Sequence, residues 1–102
     1  MTLSESQKKY LRGLGHSLKP LIMVGDAGVS EALLAEFDST LQHHELIKVR
    51  VRAGDREARD AMIEKLCEVS SATLVQRIGN VALVYRANPD KKPEKRLRIP
   101  SN

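Results

Sequence analysis

From Leu46 to Arg52 the chain alternates without a break: Ile47, Val49 and Val51 on one side, Lys48, Arg50 and Arg52 on the other. Successive side chains of a strand point to opposite faces. The segment is therefore a half-exposed strand, with one apolar face that must be covered and one face of three cations with no acid among them. A sheet covered on one face calls for helices, and the flanking sequence supplies them. Ser4 with Gln7 three residues on is a capping box opening a helix to about Leu14. Tyr10, Leu11 and Leu14 share a stripe that Leu18 extends beyond the helix, and Lys8, Lys9 and Arg12 lie mostly on the other side. Gly13 and Gly15 end it.

After Lys19-Pro20, the short apolar run Leu21 to Val24 reads as a strand buried on both faces. Gly25-Asp26-Ala27-Gly28 is a tight loop, and Ser30 caps the next helix, with Val29 and Leu34 placed as a hydrophobic staple. Leu33, Leu34, Phe37 and Leu41 form its stripe, ending near His43. Asp55 caps a third helix to about Val69, with Ala58, Met62, Leu66 and Val69 expected inward. Thr73 to Ile78 and Val81 to Arg86 form a hairpin around Gly79-Asn80, two residues tolerant of positive φ. The order α-β-α-β-α-β-β predicts an α/β domain: a four-stranded mixed sheet with helices packed on it. The domain is expected over residues 1–87, and 88–102, with three prolines and dense charge, as a flexible or loosely docked tail.

Composition narrows the function. At 102 residues and 41% hydrophobic, the chain carries one modest core. No apolar run approaches the roughly 18 residues of a membrane span. The opening Met1-Thr2-Leu3-Ser4-Glu5 lacks the pattern of a secretory signal, so a cytoplasmic location is expected. The single Cys67 forms no internal disulfide and by itself no zinc site, and is assigned to the core. The net charge of +4 lies wholly at the C-terminus: Arg86 to Asn102 holds six basic and two acidic residues, leaving 11 of each sign in the first 85. What matters is then where the basic residues of the body face.

His43 and His44 point about 100° apart on a helix, which chelates a metal poorly, and a C-capping role is simpler. No catalytic set of residues is visible. The Gly25-x-x-Gly28 loop reads either as an ordinary strand-to-helix turn or as a site where backbone N–H groups meet a phosphate, and Asp26 opposes the second. Lys48, Arg50 and Arg52, roughly 7 Å apart at i and i+2, can track a phosphate backbone. Lys19 stands before the first strand, and Arg77 and Arg86 are candidates to join the row. Lys8, Lys9 and Arg12 either widen that footprint or form a solvated helix face, and the basic tail is either an electrostatic arm or a solubilising segment. The only aromatics are Tyr10, Phe37 and Tyr85, all expected in the core. Modules that stack single-stranded bases on a sheet need exposed aromatics, so structured RNA read through backbone and shape is the expected ligand.

Four segments in order resemble the bacterial YhbY family, the stand-alone CRM domain (chloroplast RNA splicing and ribosome maturation). They are Leu11 to Pro20, Gly25 to Ser30, His43 to Val51, and Ile78 to Arg86. The resemblance runs from Leu3 to about Arg86. It implies a fold like the C-terminal domain of translation initiation factor three, a GxxG loop at Gly25 and Gly28 like that of KH domains, and no catalytic activity or cofactor. It implies association with precursors of the large ribosomal subunit, hence large-subunit precursor rRNA as partner. No membrane or small-molecule partner is expected, and a monomer is. The rival readings are a chaperone or splicing-type factor on another structured RNA, and a ribosome-associated protein adaptor.

Overall fold

The computed structural model describes residues 3–25, 27–52 and 54–100. The elements follow the expected order: α1 (Glu5–Gly15), β1 (Pro20–Val24), α2 (Glu31–His44), β2 (Leu46–Val51), α3 (Arg56–Ser70), β3 (Thr73–Ile78), β4 (Val81–Tyr85) and a 3-10 turn over Pro93–Lys95. Each helix starts at the residue that its cap chemistry marks. The Gln7 N–H donates to Ser4 Oγ at 3.1 Å while Ser4 N–H donates to Gln7 Oε1 at 3.0 Å. Leu33 N–H donates to Ser30 Oγ at 3.1 Å, and Ala58 N–H to Asp55 Oδ1 at 2.8 Å. Each such cap is worth about 1 kcal/mol. The β3–β4 turn places Gly79 at φ 58°, where an L side chain is strained.

The strands are ordered β1-β2-β4-β3, with β1 parallel to β2 and β4 antiparallel to both its neighbours. β4 thus fills the slot over which α3 carries the chain from β2 to β3. Both crossovers step the same way across the sheet, so a common hand puts α2 and α3 on one face. There Ile22, Val24, Ile47, Val49, Val51, Ala82 and Val84 pack with Phe37, Leu41, Ile63 and Leu66. The opposite face is left to α1, where Leu11 packs with Leu46, Val75, Leu83 and Tyr85. Gly15 brings α1 close: a Cβ there would lie 2.6 Å from Leu83 Cδ2.

Three expectations are corrected. β1 is not buried on both faces: Ile22 and Val24 are, but Leu21 and Met23 are 51% and 52% exposed. β1 is an edge strand, and α1 packs over β2 and β3 instead. Tyr10, on the flank of α1, is exposed. Val69 is exposed because the buried stripe of α3 runs through Ile63, Leu66 and Ser70, about 90° round the helix from Val69.

The C-terminal segment is docked rather than loose as far as Pro100. Leu97 and Ile99 pack on the α1 cluster, and Gln7 Nε2 donates to Pro100 O at 3.1 Å. Its anchor is Glu45, a buried carboxylate at φ 65°. Glu45 accepts from Asn88 N–H and Leu97 N–H, each at 2.9 Å, and Lys91 Nζ lies 3.5 Å away. Burial, and secondarily the Glu45 charge, push the Tyr85 phenol above its ordinary pKa.

Candidate nucleic-acid interface

The even positions of β2 face the side that α1 only partly covers. Lys48 pairs across the sheet with Leu83, and Arg50 with Val81. On the other side Lys48 stands against Pro20 and Arg50 against Met23. Lys19, next to Pro20, is thereby carried to the Lys48 end of the row. Arg52 follows the last residue of β2, and its N–H donates to Val24 O at 2.7 Å, which fixes it beside the residue leading into the glycine loop. Lys19, Lys48, Arg50, Arg52 and Gly25 therefore line the β1–β2 side of one sheet face.

On α1, Leu11 points to the sheet. Lys8 and Arg12 fall about 60° and 100° to one side of it, and Leu14 and Gln7 to the other, where the C-terminal segment docks. Lys9 lies about 160° round, on the solvent side, as does Gly13. The three cations of α1 thus stay clear of the docked segment.

Charge pairing separates these groups from Arg56, Arg77, Arg86 and Lys91, though not from Arg59 and Lys65 of α3 or from the other tail cations. The ion pairs among the described residues are Arg56–Asp60 at 4.0 Å, Arg77–Asp60 at 2.8 Å, Arg86–Asp38 at 2.6 Å and Lys91–Glu45 at 3.5 Å. None involves Lys8, Lys9, Arg12, Lys19, Lys48, Arg50 or Arg52. Arg77 and Arg86 do not join the row. Arg77 pairs with Ala82, on the α2/α3 face, and spans to Asp60 beside a cavity of about 260 Å³ lined by Ile63, Glu64 and Leu74. Arg86 follows Tyr85 and so points to the opposite face. Its guanidinium donates to Asp38 Oδ1, Ser70 O at 2.9 Å and Gln42 Oε1 at 3.2 Å, clasping the end of β4 to α2 and α3. In the tail, Arg96 donates to Lys91 O and Pro89 O, and Lys91 also donates to His43 O. Lys92, Lys95 and Arg98 remain exposed.

In the loop, Gly28 N–H donates to Gly25 O at 3.0 Å and so closes the turn. Gly28 sits at φ +79°, which demands glycine. Gly25 is different: no positive φ holds it, and a Cβ there would meet nothing within 4 Å. The fold has no use for a glycine at that position. Ala27 is exposed, and Asp26, the acid expected in the loop, lies outside the described residues.

Phe37 and Tyr85 are buried, and Tyr10, though exposed, lies on the side of α1 where the C-terminal segment docks, so the strands of the open face carry no exposed aromatic. Burial raises the Cys67 thiol to a pKa of about 11, leaving it protonated and unreactive at neutral pH. The rings of His43 and His44 meet edge to face, centroids 4.7 Å apart. The residue that sequence reasoning missed is Glu45. A glutamate between two histidines and a strand carries no pattern that marks it as buried, because its partners are backbone N–H groups more than 40 residues away.

The CRS1 / YhbY (CRM) domain family matches residues 3–86. Among curated proteins, the chain is 46% identical over 97 residues to the probable RNA-binding protein PA4753 of Pseudomonas aeruginosa, covering 95% of this chain and 91% of the relative. It is 34% identical to the probable RNA-binding protein YqeI of Bacillus subtilis, covering 96% and 99%. Among solved structures it is similar to the solution structure of the hypothetical protein SAV1595 of Staphylococcus aureus, with a TM-score of 0.79 at 33% identity, covering 97% of this chain and 100% of that one.

Proposed function

The chain belongs to the CRS1 / YhbY (CRM) domain family, and from that premise we propose that it is an RNA-binding protein that assists ribosome assembly on large-subunit precursor rRNA. The observation that carries the reading is the row Lys48, Arg50 and Arg52, which has no carboxylate partner among the described residues. Cations held on a rigid strand and left unneutralised suit a polyanion whose phosphates release counterions on binding. The names of the relatives from Pseudomonas and Bacillus support the choice of RNA.

In mechanism, Gly25 to Gly28 form the point of closest approach. Gly28 makes the turn, and Gly25, which the fold does not require, leaves room for a phosphate against the backbone. The N–H of Gly28 is spent inside the turn, so the donors are the neighbouring N–H groups at the start of α2. Lys19, Lys48, Arg50 and Arg52 neutralise the phosphates alongside, and Lys8, Lys9 and Arg12 widen the footprint onto α1. The binding unit is residues 1–87. The segment from Asn88 adds Lys92, Lys95 and Arg98 as a sequence-independent electrostatic supplement.

The test is sedimentation of tagged protein from lysate at low and high salt, with the bound RNA sequenced. Co-sedimentation with large-subunit precursors, lost as salt rises, is expected. Recovery of introns or messengers would move the function to another RNA. Failure to bind phenol-extracted rRNA would make the protein an adaptor that contacts protein.

A further inference from the structure

One row of side chains crosses the open end of the sheet from edge to edge. Met23 pairs with Arg50, Arg50 with Val81, and Val81 with Ile78, so all four project from the same face. The rows beneath are covered: Leu83 lies under Gly15, and Leu46 and Tyr85 pack with Leu11. The end row is not. Ile78 is 67% exposed, Met23 52%, and Arg50 lies between them, with Val81 half-buried. With strands about 4.8 Å apart, the row spans about 14 Å.

A surface that met only phosphates would gain nothing from leaving Met23 and Ile78 exposed on either side of Arg50. A protein surface covering the row would have to supply a carboxylate for Arg50 or bury its charge unpaired. A nucleobase meets both demands. Its flat face packs on apolar side chains and on the plane of a guanidinium, while the edge of the guanidinium stays free to hydrogen-bond. Met23 is two residues before Gly25, about 7 Å along the strand, so a phosphate at the loop sets its own base near the row.

We propose that Met23, Arg50, Val81 and Ile78 form a shelf for an unpaired, extruded nucleobase, so that the protein selects RNA in which a helical stem adjoins a bulged nucleotide. The proposal rests on the RNA-binding reading and adds a preference to it. Continuous A-form duplex keeps its bases stacked and offers the shelf nothing. The lack of exposed aromatics on the strands of this face thus excludes aromatic stacking there without excluding contact with a base.

The test uses two hairpins with the same stem, one fully paired and one with a single bulged 2-aminopurine, titrated with the full-length protein by fluorescence anisotropy. The wild type is expected to prefer the bulged hairpin by about tenfold, the scale of burying about 55 Å² of apolar surface. Met23→Ser/Ile78→Ser is expected to reduce that preference below about twofold while leaving affinity for the paired hairpin and its salt dependence unchanged. Arg50→Lys keeps the charge and loses the plane, and is expected to lose the preference with the salt slope retained. Equal wild-type affinity for the two hairpins would overturn the shelf alone, and binding to neither would overturn the RNA-binding reading with it. A double variant that keeps its RNA preference but loses a protein partner would also overturn the shelf and reassign the row to protein contact.

Discussion

The two faces of the sheet share the strand β2 but are built by opposite rules. Toward α2 and α3, Ile47, Val49 and Val51 are sealed under two helices, and Arg77 and Arg86 are tied to carboxylates there. Toward α1, a single helix and the docked C-terminal segment cover the lower rows, and the cations above them have no carboxylate partner among the described residues. The helices differ in the same sense. α2 carries Glu31, Glu36 and Asp38 with no lysine or arginine, whereas α1 carries Lys8, Lys9 and Arg12 against Glu5 alone. A chain whose first 85 residues are neutral overall can thus present a cationic side by sorting its charges across one sheet. Both faces carry part of the core, but only the α1 face leaves a row of strand cations without a carboxylate partner among the described residues.

Substitutions on the two faces should therefore separate stability from binding. The largest effect is expected from Phe37→Ala, which empties a fully buried site under α2. It should cost about 3–5 kcal/mol in denaturant unfolding, with the remaining folded fraction binding RNA normally. Arg86→Met comes next. Losing the clasp to Asp38, Ser70 and Gln42 should cost about 1–3 kcal/mol, and because Arg86 is off the cationic face the salt dependence of RNA binding should not change. A reduced salt slope would place Arg86 in the interface after all. The glycine loop sharpens the contrast within four residues. Gly28→Ala, forced to φ +79°, should cost about 1–2 kcal/mol. Gly25→Ala, with open space around it, should change stability by no more than about 0.5 kcal/mol yet weaken RNA binding. Unchanged affinity in Gly25→Ala would return the loop to an ordinary turn.

Much of this division is written locally and could be read as such. The three helix starts follow from Ser4, Ser30 and Asp55, because a cap is a contact over three residues. The two roles of β2 follow from its period of two. What escaped local reading depends on which element lies above which. Leu21 and Met23 read as buried because an apolar tetrapeptide does not tell whether a helix will cover its outer face, and α1 stops short of the edge. Arg77 and Arg86 looked equivalent to Lys48 in composition. Their faces were set by the register of β3 and β4, and in β3 a shift between Leu74 and Gln76 alters the simple alternation. Glu45 was invisible for the same reason, since its partners arrive from the far end of the chain.

The most direct test of the cationic face compares two charge-matched pairs of exposed residues across the sheet: Arg50→Ala/Arg52→Ala at the end of β2, and Arg56→Ala/Lys65→Ala on α3. RNA affinity of each is measured from about 50 to 200 mM salt. Removing two phosphate contacts should flatten the plot of log affinity against log salt by about 1.5 for the β2 pair and leave it unchanged for the α3 pair. Equal flattening by both pairs would contradict the account, because it would mean that the RNA responds to total charge and not to the face that presents it.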